Sequence, residues 1–423
     1  MQPAASWEGF LGMQKQTVRV ALGCIVGGWA LTLGLAAQGG RVAELRANCD
    51  SGPQAREGHA FGWAMDFGSG GGELWVGAPR WALDGERSGA VFGFERVAGG
   101  WEQVAQLLDP AGEEWDQLGW SVVRSAGWIL AAAPQAGGRS PNSGAVRAWR
   151  LGAGAPQGPR SLFSPEGQTG DGFGTAMLAA GGEVWVAAPF ARADNGVFQA
   201  GRVERFAPGA GPFDDWVRVE RLVPPLPLAH ARFGEALALQ GTQLLVGAPF
   251  EPGGGGVYRP GAVPLRIANP LGDAGAEFGG ALACGGQWVA VGAPGAGGGR
   301  GAVLLFDGSS DFTQPLGVWL GHAPGDRLGS CLAWSGDCLL AGAPGARGGQ
   351  GAVRCFDVGG GWPLEGEPLA SPGGLAFGAS LASIASGVGI GVGAPAPLGS
   401  VQSAPGSRDL SPVALPRVWL FGL

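Results

Sequence analysis

The chain is 423 residues long, with 85 glycines and 32 prolines, and only 14% of its residues are charged. Glycine and proline at that density interrupt helices every few residues and exclude a helix-rich fold, while 45% hydrophobic residues and 17 tryptophans exclude disorder of the charged, apolar-poor kind. A net charge of −7 without basic clusters excludes a nucleic-acid footprint, and Lys15 is the only lysine available for Schiff-base or phosphate-loop chemistry.

Taken in chain order, residues 1–39 are an N-terminal extension and an export signal. Met13-Gln-Lys-Gln-Thr-Val-Arg19 is a short basic stretch, and Val20 to Ala37 carries no charge. Gly34-Leu-Ala36 or Ala37-Gln-Gly39 then offers small residues for cleavage. Residues 1–12 lack this character, so translation is expected to start at Met13. An uncleaved signal is the alternative, because the 18 residues from Val20 to Ala37 are just long enough to span a bilayer. Membrane attachment is expected only by that route. Residues 40–423 are expected to form one domain that is secreted, at the cell surface or periplasmic.

That domain is repetitive. Seven times an aromatic residue or leucine followed by glycine opens a segment: Phe61-Gly62, Leu118-Gly119, Phe173-Gly174, Phe233-Gly234, Phe278-Gly279, Leu328-Gly329 and Phe377-Gly378. Each is followed by a small-Ala-Pro triplet, ending at Pro79, Pro134, Pro189, Pro249, Pro294, Pro344 and Pro395. Successive prolines lie 45 to 60 residues apart, the length of one propeller blade. Two residues past each glycine stands a small side chain (Ala64, Ser121, Ala176, Ala236, Ala281, Cys331, Ser380), and the next position is always apolar. Crowded inner strands of a radial fold need such columns. A β-rich run such as Leu74-Trp75-Val76 leads into the triplet, a third strand begins at Gly-Ala-Val (Gly89, Gly144, Gly301, Gly351) or Gly201, and a fourth precedes the next Phe-Gly. In the fourth copy either Gly256-Val257-Tyr258 or Gly261-Ala262-Val263 starts the third strand, and spacing does not choose between them.

The predicted fold is an all-β, seven-bladed, up-and-down β-propeller with four strands per blade. The last copy stops after its third strand, Arg417 to Phe421, whereas Val42-Ala-Glu-Leu45 resembles the fourth strand Val104-Ala-Gln-Leu107. The N-terminal strand is therefore expected to complete the last blade and close the ring, because an open propeller leaves a bare strand edge.

Phe-Gly, Gly-Ala-Pro and Gly-Ala-Val in series resemble the FG-GAP repeat family, best known from the N-terminal propeller of integrin α subunits. The resemblance covers residues 42 to 421. It implies an exported, non-enzymatic scaffold for adhesion or recognition of an extracellular protein or glycan. The chain departs from the integrin pattern in lacking Asp-x-Asp-x-Asp-Gly loops between Phe-Gly and Gly-Ala-Pro. Those windows hold at most two acids, such as Asp66 and Glu73, whereas calcium takes six or more oxygen ligands. The expectation is the calcium-free variety, with no metal and no cofactor.

Other chemistry is sparse. The three histidines, His59, His230 and His322, have no ligand spacing and read as exposed loop residues. Asp116, Asp171 and Asp326 each stand two residues before their Leu/Phe-Gly pair and read as turn caps. Outside the signal, Cys49, Cys284, Cys331, Cys338 and Cys355 are odd in number; Cys331 belongs to the small-residue column, and a bridge among Cys331, Cys338 and Cys355 is open. Trp75, Trp128, Trp185 and Trp288 read mostly as core.

In a four-stranded meander the 2–3 and 4–1 loops emerge on one face of the disc. After the triplets the 2–3 loops of the first four copies carry bulky groups: Arg80 and Trp81, Phe190, Arg192 and Phe198, Phe250, and Tyr258. Aromatic rings beside arginine are typical anchors for a protein or sugar. These seven residues are the predicted ligand-binding edge, with packing against neighbouring blades as the competing reading. No catalytic residue is assigned and a monomer is expected. Two alternatives stand: a polysaccharide hydrolase using loop acids such as Glu113, Glu114 and Asp116, and a structural cell-envelope component.

Overall fold

The computed structural model describes residues 60–358 apart from 69, 83–86, 99, 210–215 and 311, together with 25–26, 29–30, 43–45, 364–365, 369–370, 376–383, 390–394 and 417–421. The segment expected to be an export signal lies outside the described residues except where Ile25–Val26 pairs with Trp29–Ala30. Met13, Cys49 and His59 also lie outside them. Among the described residues no helix is long and apolar enough to cross a membrane.

The chain is an all-β propeller of four-stranded antiparallel blades. Six blades run consecutively, each strand pairing with the next in sequence. Blade 1 consists of Ala64–Phe67, Glu73–Ala78, Ala90–Val97 and Gly100–Leu107; blade 3 of Met177–Ala180, Glu183–Ala188, Arg202–Pro208 and Trp216–Leu222. In blade 6 the outer strand is split into Leu364–Glu365 and Leu369–Ala370, both paired with Ala352–Asp357. A further sheet has the order Ser380–Ser383, Ile390–Ala394, Arg417–Phe421, Ala43–Leu45.

The repeat explains the packing. Every Phe or Leu of the Phe/Leu-Gly step is buried between blades. The residue before it takes a left-handed conformation in each copy (Arg232 has φ 54°, Glu277 57°), and a tight turn follows in which Glu235 N–H donates to the Arg232 carbonyl at 3.1 Å. Where the small-residue column carries a donor it bonds one blade to the next: the Ser121 hydroxyl donates to the Gly174 carbonyl at 2.7 Å, and the Cys331 thiol to the Gly378 carbonyl at 2.9 Å. The glycine that opens the third strand sits against the next blade's Phe. Gly201 has φ 86°, and a Cβ there would lie 2.1 Å from the Phe233 carbonyl oxygen.

In blade 4 the third strand is Gly256–Arg259, which settles the register left open by spacing; Val263 is in the following loop and 88% exposed. Asp116, Asp171 and Asp326 cap turns as expected, accepting from the backbone N–H of Glu113, Gln168 and Ala323 at 2.8–2.9 Å. Cys338 and Cys355 form a disulfide, and Cys284 and Cys331 are free. Burial pushes both free thiols up to about 12, so neither is a reactive nucleophile.

Candidate functional site

In the six described copies the position just after the triplet proline is at least partly exposed, and the next one is buried. Phe190 is half-buried and Phe250 exposed, whereas Trp81, Ala136, Ala191, Glu251, Ala296 and Ala346, one residue further on, are all buried. The more exposed position therefore places Phe190 of blade 3 and Phe250 of blade 4 on the loop face. The loop 189–201 of blade 3 is joined to the segment leading into blade 4: His230, Arg232 and Phe233 N–H donate to the carbonyls of Phe198, Gln199 and Ala200 at 3.0–3.1 Å. The 2–3 and 4–1 loops do share one face, and this joining fixes the left-handed turn from which Arg232 projects.

Arg232 lies between the two phenylalanines, its guanidinium carbon 4.9 Å from the Phe190 ring centre and 4.4 Å from that of Phe250. Contact with two rings holds the guanidinium in place while its N–H groups stay free to bind. Beside it, Arg192 stacks over Phe198 at 5.1 Å and donates to the Gly196 carbonyl, and His230 meets Phe198 edge-on at 5.3 Å while its Nδ1 contacts Gln199 Oε1 at 2.8 Å. On the other side Phe190 crosses Gly172, where a Cβ would lie 2.6 Å from the ring; any larger residue would push Phe190 off the floor. A cleft of about 350 Å³ opens there, walled by Ser140, Gln168, Thr169, Asp171, Phe190, Arg192 and Phe198. Its base is braced by a buried network in which Arg202 pairs with Asp171 at 2.8 Å and Glu204 at 2.9 Å, and Ser164 bonds both Arg202 and Glu204.

Of the seven residues predicted, Phe190, Arg192, Phe198 and Phe250 come together. Arg80 stands apart on blade 1. Trp81 is buried, packed edge-on against Phe92 at 4.8 Å. Tyr258 is buried in the third strand of blade 4, its hydroxyl donating to Glu251 at 2.9 Å. Both rings are buried, with these contacts inside their own blades rather than on the loop face. Arg232 joins the group without having been singled out, and His230 is more than a bystander. The signal was present: if 4–1 loops share the face, the residue before each Phe-Gly belongs to it.

Three of the acids between Phe-Gly and the triplet are engaged internally. Asp66 accepts from Arg124 N–H at 2.6 Å, Glu73 pairs with Arg124 at 2.9 Å and Glu183 with Arg205 at 2.9 Å. Among the described residues no group of three or more His, Cys, Asp or Glu is arranged to hold a metal. No protein-family model matches the chain, and no curated protein is significantly similar to it.

Proposed function

We propose that the chain is an exported, non-enzymatic recognition propeller of the FG-GAP kind that binds an extracellular protein or glycan through the loop face of blades 2 to 4. The observation that carries this reading is the solvent-facing group of Phe190, Arg232, Phe250, Arg192 and Phe198, assembled from two adjacent blades beside a polar cleft. Exposed aromatic rings at 45% for Phe198 and 42% for Phe250, rigidified by stacked arginines, have the make-up of interface anchors.

The same proposal includes seven blades in a closed ring. Its support is that the Ser380 hydroxyl donates to the Gly62 carbonyl, the same bond that joins blade 2 to blade 3, and that Gly393 packs against Gly62. Ala43–Leu45 then serves as the outer strand beside Arg417–Phe421.

The test is a binding screen of purified residues 40–423 against glycans and extracellular proteins, with and without chelator, beside a Phe190→Ala, Phe250→Ala variant. Chelator-insensitive binding that the variant loses is the expected result. Binding abolished by chelator, or retained in full by the variant, contradicts the reading.

A further inference from the structure

Resting on that loop-face reading, we infer that the ligand is an acidic polysaccharide, bound by a carboxylate or sulfate group on the N–H edges of Arg232 and Arg192. The charge pattern carries the inference. Five arginines around the site hold carboxylates: Arg202 holds Asp171 at 2.8 Å, Arg205 holds Glu183 at 2.9 Å, Arg221 holds Asp194 at 2.7 Å, Arg218 holds Glu166, and Arg266 holds Glu251 at 2.6 Å. Arg192 and Arg232 form no ion pair among the described residues. Their planes are fixed on rings instead. The acid nearest in sequence, Glu235, makes no ion pair with Arg232 among the described residues; burial holds its carboxyl above the usual range, against the opposing pull of the Arg232 charge.

Arg192 and Arg232 thus put two cations without carboxylate partners on adjoining loops of one face, in a chain of net charge −7. A guanidinium held over aromatic rings keeps its N–H groups for a partner, and a planar carboxylate or a sulfate matches their fork in bidentate fashion.

The adjoining cleft argues for a sugar. The side chains of Gln168 and Thr169 line it beside Ser140 and, among the described residues, make no hydrogen bond of their own. Hydroxyl-rich ligands satisfy such scattered donors and acceptors. The walls are loops rather than a strand, so a peptide backbone finds no sheet edge to extend.

The experiment measures binding of residues 40–423 to polygalacturonate (uronate), dextran sulfate (sulfate ester), uncharged dextran and poly-glutamate, at low and high salt. Wild-type chain is compared with Arg232→Gln, Arg232→Lys, Arg192→Gln, Arg347→Gln and the Phe190→Ala, Phe250→Ala pair, each with its melting curve. The expected result is binding to the uronate or sulfate polymer, weakened by salt and absent on dextran, and falling about 10- to 100-fold in Arg232→Gln. Arg232→Lys should not restore it, because lysine keeps the charge but loses the stacked plane, and Arg347→Gln on blade 6 should bind like wild type. If Arg232→Gln melts early, Arg192→Gln carries the comparison. Equal binding to dextran, binding to poly-glutamate alone, no binding to either acidic polymer, or full binding by both arginine variants would each overturn the inference. In the last case, loss of binding in the phenylalanine pair would leave the loop-face reading standing.

Discussion

Gly201→Ala probes the contact that spaces the blades, and Gly196→Ala in the same loop is its control. Both glycines have φ 86°, so both alanines incur the left-handed penalty of about 1–2 kcal/mol. Only at position 201 does the new methyl meet backbone, 2.1 Å from the Phe233 oxygen and 2.6 Å from its nitrogen; at 196 nothing lies within 4 Å. Neither Phe233 atom is on a side chain that can rotate away, so the blades must separate, at a further cost of about 1–3 kcal/mol. Gly201→Ala should therefore lose about 2–5 kcal/mol and Gly196→Ala about 1–2. Urea unfolding followed by tryptophan fluorescence reads the difference directly. Equal losses in the two variants would refute the idea that these glycines set blade spacing by close approach.

Asp66 predicts a pH effect. Its carboxyl group is buried although the residue as a whole is half-exposed, and burial pushes its pKa up to about 6, against about 3.9 unfolded. The folded chain thus keeps a proton that the unfolded chain has released between those values. This group's stabilisation is full below about pH 4 and declines as pH rises through 6, by about 3 kcal/mol at most. Asp66→Asn should remove that decline, and an unchanged pH profile of the urea midpoint would contradict it. Tyr258→Phe should cost about 1–3 kcal/mol by leaving buried Glu251 short of a donor, and Trp81→Ala about 3–5 kcal/mol. Both should retain ligand binding per folded molecule, and a selective binding loss at unchanged stability would return these rings to the site. Deleting residues 40–48 after the signal should abolish the cooperative melting transition, because Ala43–Leu45 pairs with Arg417–Phe421; an unaltered transition would sink ring closure.

Blade architecture was legible because it rests on repeated steric demands. A Phe buried between blades, a small residue beside it and a glycine at the next blade's approach recur at near-fixed spacing, and each recurrence confirms the others. Where a copy carried two candidate glycines, as at Gly256 and Gly261, spacing had no preference and the cross-strand register decided. The site was legible only in part. Trp81 and Tyr258 are bulky and near a loop, but each falls in a column buried in every blade: Tyr258 aligns with Phe92, Arg147, Glu204, Leu304 and Arg354. Comparing columns rather than residue types would have assigned both to packing. Arg232 was missed because it lies 42 positions from Phe190, and only the fold brings a guanidinium between rings of two blades.

Hydrogen–deuterium exchange, with and without saturating polygalacturonate or dextran sulfate, tests the central claim most directly, because it locates the bound face without relying on any substitution. The account predicts slowed exchange at 168–172, 190–201, 230–235 and 250–254, in the loops of blades 2 to 4. Slowed exchange confined to the opposite turns at 126–127, 181–182 and 241–242 would contradict it.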